Sequence, residues 1–160
     1  MFEQNRERNL TMVMDFYELT MANGFFQDGV GQRLAAFDVF YRQNPDGGGF
    51  AIFGGLEQIV EYIENLHFST EDIDFLRSQG IFSKEFLDYL AAFRFTGSVY
   101  ALREGTVMYP GTPIVTVIAP VIQAQLVETA LLLEINHQSL IATKANRIVR
   151  AAQGRGVSDF

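Results

Sequence analysis

The 160-residue chain has no cysteine, no tryptophan and only two lysines, Lys84 and Lys144. Without cysteine, neither a disulfide framework nor a zinc site built on thiolates can form, and this composition is the one expected of a cytoplasmic protein. The formal net charge is −7 at pH 7. Because binding to a nucleic-acid backbone requires clustered cations, we expect no nucleic-acid partner.

A long uninterrupted hydrophobic run is also missing. The N-terminus, MFEQNRERNL, is charged, and no apolar segment with a small-residue cleavage site follows it, so it is not a secretory signal. The most apolar stretch, 121–135, contains two glutamines and two glutamates, which argues against a membrane span. With 48% hydrophobic and 19% charged residues, the chain has the composition of a globular domain with a substantial core.

Hydrophobic periodicity and turn residues predict an α+β fold. A helix is expected over 14–26, followed by strands at 35–42 and 50–53 that the glycine-rich turn 44–49 would join as a hairpin. Further helices are expected from Leu56, and after hydroxyl caps at Ser69 and Ser83. The remaining expected elements are strands at 95–102, 106–110 and 113–120 in a small antiparallel sheet, and a strand beginning at Val157. Between them, residues 123–152 are expected to form two helices or one bent helix, with the bend near Asn136.

These elements divide the chain into three predicted parts. Residues 1–35 form an N-terminal helical segment, 36–122 a β-sandwich-type domain with inserted helices, and 123–160 a linking helix and the start of another unit. The final residues, RGVSDF, read as a turn and the opening of an apolar strand. We therefore expect the chain to be the N-terminal piece of a longer protein.

Two groups of residues are candidates for an anion site. Lys144 and Arg147 are three residues apart on the last helix and share a face, which favours an anionic ligand or an acidic partner; an ordinary solvated face is the alternative. Gly54-Gly55 stands between a strand and a helix, so its amides can cradle an anion. The missing third glycine or lysine makes a purely structural role the stronger interpretation.

Tyr17 is the candidate for binding a flat ligand. On the first helix it shares a face with Met21 and Gly24, and an aromatic ring beside a glycine gives a flat surface for stacking. From spacing alone, a core tyrosine with its hydroxyl at the rim is the stronger interpretation. Neither His67 nor His137 has a second histidine at metal-ligand spacing, so no metal site is expected.

Four segments together resemble nicotinate phosphoribosyltransferase. They are MDFYELTMANGFF, AAFDVFYRQNP with GGGFAIFGGLE, FTGSVYALREGTVMYPGTPIV, and AQLVETALLLEINHQSLIATKANRI. They occur in the family's order and cover nearly all of this chain but about the first third of a family member. The family often has Thr-Asp where this chain has Met14-Asp15.

The resemblance implies an enzyme of NAD salvage that joins nicotinate to phosphoribosyl pyrophosphate, giving nicotinate mononucleotide and pyrophosphate. It implies ATP hydrolysis through a transiently phosphorylated histidine, assistance by Mg²⁺, and a homodimer. The implied fold is an open-faced β-sandwich leading into an irregular α/β barrel. Tyr17 would stack on the pyridine ring in the partner subunit's site, while Lys144 and Arg147 would lean toward the anionic site.

The same resemblance places the phosphorylated histidine after Phe160, so neither His67 nor His137 takes that role. The catalytic residues are likewise expected after Phe160, and the isolated chain is expected to be inactive. Two alternatives stay open: a non-catalytic dimerisation or binding module of the same fold, and a phosphoribosyltransferase for nicotinamide or quinolinate.

Overall fold

Helices and short strands alternate along residues 9–158, the part of the chain that the computed structural model describes, apart from the side chain of Asp46. The elements are α1 (Phe16–Gln27), β1 (Leu34–Phe40), β2 (Ala51–Ile52), α2 (Leu56–Asn65), α3 (Thr70–Ser78), α4 (Lys84–Ala91), β3 (Ser98–Ala101), β4 (Val107–Met108), β5 (Pro113–Pro120), α5 (Val121–Gln125) and α6 (Glu128–Ala152). The predicted α+β class is confirmed.

The main sheet is antiparallel, with strand order β1–β5–β3. Val117 on the central strand β5 lies between Phe37 and Val99 in register, and its side chain is buried. The opposite face carries exposed Tyr100 and Ile118. The sheet therefore covers the core with one face only, which is the open-faced arrangement expected from the resemblance.

The predicted hairpin between 35–42 and 50–53 is wrong, because β1 pairs with β5 while β2 pairs with β4. The glycine-rich segment between them forms a short 3-10 helix, Pro45–Gly47. Arg147 on α6 donates a hydrogen bond to the carbonyl oxygen of Pro45 at 3.2 Å. The segment thus leads the chain toward α6 instead of reversing it beside β1. The strands after residue 95 are antiparallel as predicted, but β3 pairs with β5 and not with β4.

Local capping predictions are confirmed at both serines. The Ser69 hydroxyl accepts a hydrogen bond from the amide of Asp72, whose carboxylate accepts from the Ser69 amide. The Ser83 hydroxyl accepts from the amide of Phe86. Both helices begin where a hydroxyl satisfies a first-turn amide that has no intrahelical acceptor.

The predicted bend near Asn136 is wrong, because α6 runs unbroken from Glu128 to Ala152. The break lies ten residues earlier, between α5 and α6, at Leu126 and Val127, which are both buried. The amide of Thr129 in the first turn of α6 donates to the carboxylate of Glu18 on α1 at 3.0 Å. This contact caps the new helix, so the chain can restart it at Glu128.

The polar residues in the middle of α6 attach the helix to β2. Ser139 and Thr143 are buried. The Thr143 hydroxyl accepts from the amide of Ile52 at 2.9 Å, and the Ser139 hydroxyl accepts from the amide of Gly54 at 3.2 Å. These side chains satisfy backbone amides of β2 and the residues after it, which explains their burial in an apolar helix.

Thr143→Val is expected to destabilise the chain by about 1–3 kcal/mol, because it removes the acceptor for the Ile52 amide while keeping side-chain volume and branching. Urea denaturation would measure the loss. Thr112→Val is the matched control, since Thr112 is exposed and the same chemical change there leaves no buried amide unpaired. Equal effects of the two substitutions would contradict this account of how α6 is attached.

The end of the chain departs from prediction in part. The sequence predicts a strand that begins at Val157, but residues 155–158 are not in a strand. The other residues of that predicted strand, Asp159 and Phe160, lie outside the described residues. The three-part division at 35 and 122 stays a prediction. Among the helices of residues 9–158, none has the length and continuous apolar composition needed to cross a bilayer.

Candidate functional site

A cleft of roughly 630 Å³ lies between α1, the end of β1 with the segment after it, and α6. This volume falls in the range typical of small-molecule sites. The α6 wall is largely apolar, with Leu132, Leu133 and Leu140, whereas the opposite wall carries Arg42 and Asn44. One apolar wall facing one polar wall can hold a flat ring that bears a charged group.

Tyr17 lines this cleft from α1. Its side chain is 43% exposed, and its hydroxyl donates a hydrogen bond to Oε1 of Glu128 at 2.8 Å. That bond, with partial burial and the negative charges of neighbouring carboxylates, raises the pKa of Tyr17 to about 12. The ring is thus a neutral, partly open aromatic surface whose outer end is tied to α6. Met21 and Gly24 on the same face are exposed, and nothing lies within 4 Å of a Cβ added at Gly24.

Glu18, the next residue on α1, is buried with 0% of its surface exposed. One carboxylate oxygen, Oε1, accepts from both the amide and the hydroxyl of Thr129. The other, Oε2, is buried with no hydrogen-bond partner among the described residues. Burial raises the pKa of Glu18 above its ordinary value of 4.5, against the lowering effect of the Thr129 bonds.

This raised pKa predicts a dependence of stability on pH. The stabilisation is fully present below the unfolded-state pKa of Glu18 and is lost as the pH rises through the folded-state pKa, because the native state then holds a buried charge. Glu18→Gln keeps the Oε1 acceptor and never ionises. As the pH rises above 4.5, the ordinary pKa of this group, we expect the unfolding free energy of Glu18→Gln to rise relative to the parent chain.

Urea denaturation at several pH values would measure this relative gain. Glu64→Gln on α2 is the control, because Glu64 is exposed and its substitution should leave the pH dependence unchanged. If Glu18→Gln and the parent chain kept a constant difference over this range, the buried carboxylate would not be the cause.

The two predicted cations take different positions near the cleft. The Arg147 guanidinium donates to the carbonyl of Pro45, which lines the cleft, and it occupies the space that a side chain at Gly48 would fill. Lys144 is exposed on α6. Neither Lys144 nor Arg147 is among the residues that line the cleft. Their contact with an anionic ligand stays a prediction.

The amides at Gly54-Gly55 bind groups of the chain itself. The Glu104 carboxylate accepts from the amides of Gly55 and Leu56 at 2.7 and 2.6 Å, while the Gly54 amide donates to Ser139. Gly55 has φ +99°, and a Cβ there would approach the carbonyl oxygen of Glu134 to 3.0 Å. The structural interpretation of this glycine pair therefore holds: it caps α2 and permits close packing on α6.

Comparison with known proteins identifies the family. Residues 12–136 match the model of the nicotinate phosphoribosyltransferase (NAPRTase) N-terminal domain. The chain belongs to this family. It is 47% identical over 146 residues to nicotinate phosphoribosyltransferase pncB2 of Mycobacterium tuberculosis, covering 91% of this chain and 31% of the relative. It is 41% identical over 143 residues to nicotinate phosphoribosyltransferase of Bacillus subtilis, covering 89% and 29%.

Solved structures agree with this assignment. The crystal structure of human nicotinic acid phosphoribosyltransferase aligns with a TM-score of 0.83 at 34% identity, covering 91% of this chain and 30% of that one. A nicotinate-nucleotide pyrophosphorylase from Pyrococcus furiosus aligns with a TM-score of 0.56 at 18% identity, which shows a shared fold only. The chain spans about a third of the length of the nicotinate phosphoribosyltransferases it matches.

No cluster of three or more histidine and carboxylate side chains that could hold a metal ion occurs within residues 9–158. His67 and His137 are both exposed. His67 Nδ1 lies 2.6 Å from the carbonyl oxygen of Asn65, a local contact at the end of α2.

Sequence reasoning missed one residue that lines the cleft and two that connect to Tyr17 by hydrogen bonds without lining it. Arg42 follows β1 and lines the polar wall, but a single arginine after a strand carries no distinguishing signal. Glu128 contacts Tyr17 across 111 residues of sequence, and Gln125 donates to Glu128 from three residues away, so the three form one chain of hydrogen bonds. The sequence does place an acidic residue, Glu128, at the start of a helix. That position indicates a favourable interaction with the helix dipole but does not identify Tyr17 as its hydrogen-bond partner.

Proposed function

We propose that this chain is the N-terminal domain of an enzyme that transfers the phosphoribosyl group of phosphoribosyl pyrophosphate to nicotinate. The products are nicotinate mononucleotide and pyrophosphate. Membership of the family, with the 47% identical relative, supports the reaction. The observation that carries the role of this domain is the open ring of Tyr17 on the cleft.

The cleft has groups for both parts of nicotinate. The pyridine ring would lie against the Tyr17 ring and the apolar α6 wall, where stacking and burial favour a flat heterocycle. The carboxylate of nicotinate would face the polar wall, where Arg42 can form a charge-assisted hydrogen bond. Holding the ring in a fixed orientation lowers the entropic barrier to attack of its nitrogen on the ribose carbon.

The proposed reaction also needs groups that act on the ribose and the phosphates. Transfer at the ribose carbon develops positive charge on the sugar and negative charge on the leaving pyrophosphate, which an enzyme stabilises with cations. We expect the rest of that phosphate site, the phosphorylated histidine, ATP coupling and Mg²⁺ outside this domain, and we propose that Lys144 and Arg147 contribute positive charge to it. The homodimer, in which this cleft with its Tyr17 would face the reaction site of the partner subunit, and the cytoplasmic location are also predictions.

The test is an assay of the full-length protein with three pyridines. We expect nicotinate to be turned over, with nicotinamide and quinolinate at least about a hundredfold poorer in kcat/KM. Nicotinamide lacks the carboxylate that Arg42 would pair, and quinolinate adds a second carboxylate next to the reacting nitrogen. ATP should increase product formation. Preference for nicotinamide or quinolinate would replace the proposed substrate, and binding without turnover of any pyridine would favour a non-catalytic module.

A further inference from the structure

Glu128 accepts hydrogen bonds from Tyr17 and from the buried side chain of Gln125. The Tyr17 hydroxyl donates to Oε1 of Glu128 at 2.8 Å, and Nε2 of Gln125 donates to Oε2 of the same carboxylate at 2.9 Å. Both oxygens of Glu128 are thus engaged, one by each neighbour. Gln125 is only 3% exposed, so its surroundings hold its position.

The part of α1 that carries Tyr17 is also attached to the start of α6. Glu18, adjacent to Tyr17 on α1, bonds to Thr129, which is adjacent to Glu128 on α6. Two consecutive residues of α1 therefore contact two consecutive residues at the start of α6. The Tyr17 side chain is held at its backbone end by the Glu18 contact and at its hydroxyl by Glu128, which leaves the ring face between them exposed.

We propose that Glu128 is a positioning residue for nicotinate, which holds the Tyr17 ring in the orientation that stacks on the pyridine. This inference rests on the proposed function and adds to it a residue that does not itself touch the substrate. Fixing an aromatic ring before the ligand arrives removes an ordering cost of about 0.5–1.5 kcal/mol for that side chain. The free enzyme then has less entropy to lose when nicotinate binds.

Two substitutions at Glu128 separate positioning from a helix-capping role. Glu128→Asp keeps the negative charge in the first turn of α6 but draws the oxygens back from the Tyr17 hydroxyl. Glu128→Gln loses the charge but keeps an oxygen within reach. In the full-length enzyme, we expect Glu128→Asp to raise the KM for nicotinate about two- to tenfold with little change in kcat, and Glu128→Gln to stay near wild type.

A double-mutant cycle with Tyr17→Phe completes the test, since that change keeps the ring and removes the hydroxyl. Tyr17→Phe combined with Glu128→Asp should raise the KM no more than Tyr17→Phe alone, because both act on one hydrogen bond. Glu64→Asp on α2 is the control carboxylate, and thermal unfolding checks that each variant folds.

The outcomes separate this inference from the function on which it rests. Independent, multiplying effects in the cycle would overturn the positioning role of Glu128, as would a wild-type KM for Glu128→Asp or a raised KM for Glu128→Gln alone. Absence of nicotinate turnover in the wild-type enzyme would instead overturn the proposed function. If Tyr17→Ala left KM unchanged while the enzyme turned over nicotinate, both the stacking role of Tyr17 and the role of Glu128 would be wrong.

Discussion

Tyr17→Ala is expected to raise the KM of the full-length enzyme for nicotinate by about five- to a hundredfold. The substitution removes an aromatic surface whose stacking on a flat heterocycle contributes about 1–3 kcal/mol, and each 1.4 kcal/mol corresponds to a tenfold change. The groups that react at the ribose carbon are expected elsewhere, so kcat should change less than KM. Steady-state kinetics with nicotinate as the varied substrate would measure both.

The control for this substitution is Tyr109→Ala, since Tyr109 is a tyrosine 57% exposed in the segment between β4 and β5. It should leave the KM for nicotinate unchanged. Thermal unfolding of both variants would show that the proteins fold. A folded Tyr17→Ala enzyme with wild-type KM would remove Tyr17 from the nicotinate site.

Gly97→Ala is expected to be the most damaging change of a single methyl group in the main sheet. A Cβ at Gly97 would lie 2.5 Å from Cβ of Ala119, and 2.8 Å from both the carbonyl oxygen of Ile118 and the ring of Phe95. A carbonyl oxygen of β5 cannot rotate away as a side chain can, so β3 must separate from β5. We expect a loss of about 3 kcal/mol, the upper end of the usual range for overpacking.

Denaturation with urea would measure this loss of stability. Two further variants test whether the close contacts of the added methyl group at Gly97 cause it. Gly49→Ala is the matched control, because nothing lies within 4 Å of a Cβ added at Gly49, and it should change stability by less than about 0.5 kcal/mol. Adding Ala119→Gly to Gly97→Ala removes the nearest contact and should recover part of the loss. A neutral Gly97→Ala would contradict the close packing of β3 on β5.

Features set by neighbouring residues could be predicted from the sequence. The helix from Phe16 lies within two residues of its predicted start, and the caps at Ser69 and Ser83 require only residues three positions away. Strand pairing could not be predicted in the same way. β2 has two residues, too few to encode a partner, and its pairing with β4 depends on contacts with α6 that lie far along the chain.

In the candidate site too, features set by neighbouring residues could be predicted and features set by distant contacts could not. Tyr17 was visible because its own helix places it beside Met21 and Gly24, both on an exposed face. Glu128 was not, because its contact with Tyr17 joins residues 111 positions apart. For the cations of α6, the sequence indicated the residues but not their surroundings. Arg147 lies beside the segment at Pro45, and residue spacing alone could not indicate that this segment borders a cleft.

The most direct test of the central claim, that the Tyr17 ring forms one wall of the nicotinate site, is a crystal structure of the full-length protein with nicotinate bound. We predict the pyridine ring against the face of Tyr17, with ring centroids roughly 4.5–7 Å apart, and the Tyr17 hydroxyl still bonded to Glu128. Nicotinate bound at a site to which Tyr17 contributes nothing, in either subunit, would contradict the account.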